Sequence, residues 1–73
     1  MNQQAPGNKP ALKSYTAEQK LEAVRRELGY RRRVYARQVE QGTLKPAQAE
    51  HQIALFEAIE ADYAKAAEGE RLL

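Results

Sequence analysis

Cysteine is absent from this 73-residue chain. That removes disulfides and thiolate zinc sites as means of holding a small fold together. Histidine occurs once, at His51, beside Glu50. With no thiol and no second imidazole, the sequence offers no nucleophile–base pairing, and Ser14 has no base near it. Glu57, Glu60 and Asp62 do not converge on one helical face, and no spacing suits a metal. The expectation is a protein that is not an enzyme and uses no cofactor and no metal.

Long apolar runs are missing too. No segment approaches the roughly 18 uninterrupted apolar residues that span a bilayer, and Met1–Pro10 lacks the apolar stretch of a signal peptide. The sequence therefore reads as a soluble protein working in a cytoplasm, away from membranes. Strand alternation, internal repeats and a glycine-rich phosphate loop are also lacking, as are helix-turn-helix spacing and an RNA-recognition sheet.

Helix is what remains, and its punctuation is clear. Residues 1–14 are rich in Pro, Gly, Asn and Gln, with Leu12 the one large apolar side chain, and read as a flexible tail. Thr16-Ala-Glu-Gln19 has the form of a capping box. Helical spacing runs from about 16 to 41, Gly42 suits a left-handed stop, and Pro46 suits the first position of a second helix. That helix is expected over about 46–67, with 69–73 frayed. The four-residue connection 42–45 makes the helices antiparallel neighbours. The predicted fold is all-α: a two-helix hairpin behind a flexible lead.

At about 100° per residue, Ala17, Leu21, Val24, Leu28, Tyr35 and Val39 share one stripe of the first helix. On the second, Ala49, Ile53, Phe56, Ile59, Tyr63, Ala66 and Ala67 share an arc, with Leu55 at its edge. Folding about the turn pairs Val39 with Ala49, Tyr35 with Ile53, Leu28 with Ile59, and Leu21 with Ala67. Two apolar groups are left over. The second arc is wider than one neighbouring helix covers, and Ala23, Tyr30 and Val34 form a second strip on the first helix, away from the main stripe. The surplus is either scattered surface apolar residues of an ordinary kind or, since a chain this small gains little stability from one seam, a site of self-association or partner binding.

Charge is unevenly distributed. Residues 1–45 hold ten Lys/Arg against four Asp/Glu, and residues 46–73 hold two against six, within a net +2. The densest stretch, residues 25–37, carries six arginines and two tyrosines. Three consecutive arginines, Arg31-Arg32-Arg33, place charge on three sides of a helix. Arg32 falls inside the main stripe nearest Phe56, within reach of Glu57 or Glu60, where its stem can lie on the core. Arg26, Arg33 and Arg37 fall on the outward side around Tyr30 and Val34. Aromatic and aliphatic centres ringed by arginine are the composition of protein-binding hot spots. The candidate partner-binding residues are therefore Arg26, Tyr30, Arg33, Val34 and Arg37. Three other readings compete: a solvated face whose arginines simply meet water, arginine and tyrosine holding phosphates and stacking on bases, and a purely structural oligomerisation module.

Three segments carry a resemblance: Glu27-Leu-x-Tyr-Arg-Arg-Arg-Val-Tyr-Ala-Arg37, then Val39-x-x-Gly42-x-Leu with Ala49, then Ile53 and Glu57-Ala-Ile-x-Ala-Asp-Tyr63. Over roughly residues 20–65 the chain resembles small helical-hairpin proteins common in phages and prophages. With its length and basic lead-in it also resembles Xanthomonas-phage transcription regulators that bind host RNA polymerase. That resemblance implies a phage protein acting in the cytoplasm of a bacterial host. It would dock on the N-terminal region of the largest polymerase subunit, inhibit initiation and promote antitermination close to the emerging RNA.

Overall fold

The computed structural model describes residues 14–72. The expected tail, apart from Ser14, lies outside the described residues. Two helices, α1 (Ala17–Gln41) and α2 (Pro46–Arg71), pack against each other as a hairpin, and no strand occurs among the described residues.

Local chemistry sets three of the four helix ends. Thr16 caps α1: its Oγ1 accepts from the Gln19 amide at 3.0 Å, while the Thr16 amide donates to Gln19 Oε1 at 2.8 Å. Both halves of the capping box are thus made. At the other end Gly42 sits at φ 80°, ψ 11°, in the left-handed region that favours a residue without a Cβ. The Thr43 amide reaches back to the Gln38 carbonyl at 2.9 Å and the Gly42 amide to the Val39 carbonyl at 3.1 Å, the paired bonds of a Schellman motif. Pro46 opens α2, where its missing N–H costs nothing, and the Gln48 and Ala49 amides both donate to the Lys45 carbonyl.

The fourth end departs from expectation. α2 continues through Gly69 to Arg71 instead of stopping near 67. Tertiary contacts explain the extension. Glu70 Oε2 accepts a 2.8 Å hydrogen bond from the Ala17 amide, a first-turn donor of α1 that has no partner within its own helix. Arg71 pairs with Glu18 at 3.5 Å and with Glu68 at 3.2 Å. The last turn of α2 and the first turn of α1 hold one another in place.

The seam follows the predicted stripes. Ala17, Leu21, Leu28, Ala49 and Ala67 are buried, and Val24, Tyr35, Val39, Ile53, Phe56, Ile59 and Tyr63 are half-buried. Leu28 is the one large side chain among the described residues that is almost fully enclosed, at 1% exposure. Ala17, Leu21 and Ala67 form a cluster covered by Tyr63 and Ala64. Ala66 is exposed and Ala64 half-buried, the reverse of the expected arc. Ala66 lies roughly 100° round the helix from the buried Ala67, whereas Ala64 lies only about 60° from it.

Candidate functional site

The hairpin has two unlike flanks. About 100° per residue puts Glu18, Arg25 and Arg32 on one side of the Leu28 seam, and Lys20, Glu27 and Arg31 on the other. On the first flank the helices are stitched by charge. Arg25 Nε meets Glu60 Oε2 at 2.9 Å, Arg32 Nη2 meets Glu57 Oε2 at 2.7 Å, and Arg71 meets Glu18. This ionic flank holds every interhelix ion pair among the described residues. Towards the turn it opens into a groove of about 600 Å³ whose apolar walls include Tyr35, Val39, Ala49 and Ile53.

On the second flank, cations meet rings. The Lys20 ammonium sits 5.6 Å from the centroid of Tyr63, and the Arg31 guanidinium 4.5 Å from that of Phe56. Arg31 makes more side-chain contacts of these kinds than any other described residue. Its Nε donates to Glu27 Oε2 at 2.9 Å and its Nη1 to the Tyr35 hydroxyl at 2.7 Å, while its face covers Phe56. The Tyr35 hydroxyl first, then the Glu27 carboxylate, push the Arg31 pKa up against the opposing effect of desolvation.

The expectation for Arg32 is thus divided between two residues. Arg32 makes the reach to Glu57, but its side chain stays about half exposed. Arg31 lies on Phe56, and Arg25, not Arg32, takes Glu60. Arg31 and Arg32 stand at similar angles on either side of the stripe, so helical spacing already pointed to both.

The five candidate residues divide by exposure. Arg26, Arg33 and Arg37 are exposed, Tyr30 is 56% exposed, and Val34 is half-buried. None of the three arginines forms an ion pair among the described residues. Arg33 folds back along Gly29: its Nη1 lies 4.0 Å from where a Cβ on that glycine would stand. The surface continues beyond α1. Val34 follows Arg31 outward round α1, and Ile59 and Leu55 follow Phe56 outward round α2, so the surplus apolar residues of both helices share the aromatic flank. Leu55, at 48% exposure, was not among the candidates. The width of the α2 arc was its signal in the sequence.

His51 is exposed and lies by Leu44, Gln48 and Gln52 in a shallow depression. Among the described residues no three His, Cys, Asp or Glu side chains gather as metal ligands, and no helix is long and apolar enough to cross a membrane. No protein-family model, no curated protein and no solved structure matches this chain.

Proposed function

We propose that this chain is a non-enzymatic regulator that works by docking on another protein through the outer surface of α1. One observation carries the reading: the exposed Tyr30 and half-buried Val34 lie beside Arg26, Arg33 and Arg37, whose charges no carboxylate of the described chain takes up. Every other arginine of the hairpin has an acidic partner. Guanidinium groups left free around an aromatic anchor suit an acidic, partly apolar surface on a partner. The resemblance to phage hairpin regulators names that partner as host RNA polymerase, at the N-terminal region of its largest subunit. Docking there would inhibit initiation and promote read-through of terminators, in the bacterial cytoplasm.

The test is binding of the purified chain to host RNA polymerase, with Val34→Asp and a Tyr30→Ala/Arg33→Ala double variant beside it. Both variants are expected to lose binding while circular dichroism stays helical. Undiminished binding by both would remove the site assignment. Nucleic-acid binding is the competing outcome, and it has its own signature. Affinity for RNA or DNA would fall steeply with salt, in proportion to the phosphates contacted, and would survive Val34→Asp.

A further inference from the structure

We infer that the aromatic flank is also a self-association surface. Two copies stack these flanks into an antiparallel four-helix bundle, and the bundle covers Val34 and the edge of Tyr30, the apolar part of the docking site proposed above. The inference rests on that reading only for what the bundle would hide. The bundle itself is argued from the hairpin.

The first argument is burial. Only five residues are buried among those described, and four of them are alanine or lie beside one another at the end away from the turn. Chains of this size rarely gain more than about 3–5 kcal/mol from one core. Meanwhile Val34, Phe56, Ile59 and Tyr63 remain half-buried, and Leu55 and Tyr30 about half exposed, on or bordering one flank. A helix of 25 residues is about 37 Å long, and two helices side by side span about 20 Å. Their common face therefore offers on the order of 700 Å², close to the roughly 800 Å² each partner buries in a stable interface.

Charge supplies the second argument. α1 carries seven Lys/Arg against four Asp/Glu, net +3, and α2 two against six, net −4. A two-fold axis parallel to the helices sets α1 of each copy over α2 of the other, antiparallel, so every neighbouring pair joins a basic helix to an acidic one. The pairing of Tyr35 with Ile53 fixes the level of each residue across the seam. The ionic flank is the poorer surface along its length, because the Arg25–Glu60 and Arg32–Glu57 pairs lie across its middle and its apolar groove is confined to the turn end.

Sedimentation equilibrium of the full chain over a wide concentration range tests this. The expected result is a monomer–dimer equilibrium that Leu55→Asp weakens about 100-fold or more by forcing a carboxylate into an apolar contact. Leu55 is half exposed in the hairpin, so helicity by circular dichroism should persist. A wild-type chain that stays monomeric at every concentration overturns the bundle. A Leu55→Asp chain that still dimerises overturns the choice of flank. Polymerase binding is read separately, at concentrations where wild type is dimeric: a monomeric Leu55→Asp chain is expected to bind more tightly than wild type, and equal or weaker binding overturns the masking. Loss of binding in Val34→Asp bears on the docking site whatever the dimer does.

Discussion

The ionic and aromatic flanks join the same two helices by different physics. On the ionic flank, Arg25 and Arg32 reach Glu60 and Glu57 with side chains largely in water, where such pairs contribute about 0–1 kcal/mol each and weaken in salt. On the aromatic flank one side chain, Arg31, stacks on Phe56, bonds Glu27 and donates to Tyr35. Ion pairs on the first flank set register and leave little apolar surface over its middle. The second is held by packing and leaves apolar surface uncovered. Apart from the groove at the turn end of the ionic flank, the uncovered apolar surface lies on the aromatic flank, the side suited to being held by a partner.

That contrast can be broken most forcefully at the seam both flanks share. Leu28→Ala removes the best-enclosed side chain and should cost about 2–5 kcal/mol. For a core this small, the expected result is loss of most of the helical signal at room temperature in a monomeric sample. The flanks themselves are compared next. Arg31→Ala should lower the melting temperature clearly more than Arg32→Ala, because it strips a ring contact and two hydrogen bonds where Arg32→Ala removes one exposed ion pair. Adding 1 M salt, where screening acts within about 3 Å, should narrow the deficit of Arg32→Ala and leave that of Arg31→Ala nearly unchanged. Equal deficits for the two variants would erase the distinction.

Titration sharpens the same comparison. The raised pKa of Arg31 means that its contribution is fully present below the unfolded-state value and is lost only as pH rises through the still higher folded-state one. A melting curve recorded from neutral to mildly alkaline pH should therefore show no transition belonging to Arg31. Smaller effects are expected away from the flanks. Glu70→Gln weakens the acceptor for the Ala17 amide and should cost about 1 kcal/mol, visible as a lowered urea midpoint. The smallest is a gain: a Cβ at Gly29 meets nothing closer than 4.0 Å, so Gly29→Ala should stabilise by about 0.5–1 kcal/mol.

The elements that sequence reading placed well are those whose causes lie within a few residues. The Thr16–Gln19 box, the left-handed Gly42 and Pro46 each carry their chemistry locally, and the structure has all three as expected. The seam was legible because helical periodicity is a property of one helix at a time. What escaped the sequence depends on how two helices lie together. Arg31 and Arg32 look alike on a single helix, and only the position of Phe56 separates them. The extension of α2 to Arg71 overrides the weak helix preference of Gly69, because the turn it ends in is tied to α1. The five proposed interaction residues were placed by the same periodicity, and the structure adds Leu55 and Ile59 from α2 to their surroundings.

The bond from the Ala17 amide to Glu70, with Arg71 beside Glu18, has a geometric consequence. It brings the start of one helix and the finish of the other to a single pole, opposite the Gly42 turn. Thr16 and Arg71 therefore stand together at that pole. Fluorophores placed near Thr16 and Arg71 would report the pairing of the helices as one short distance. A protein anchored by either end would present its turn and both flanks outward.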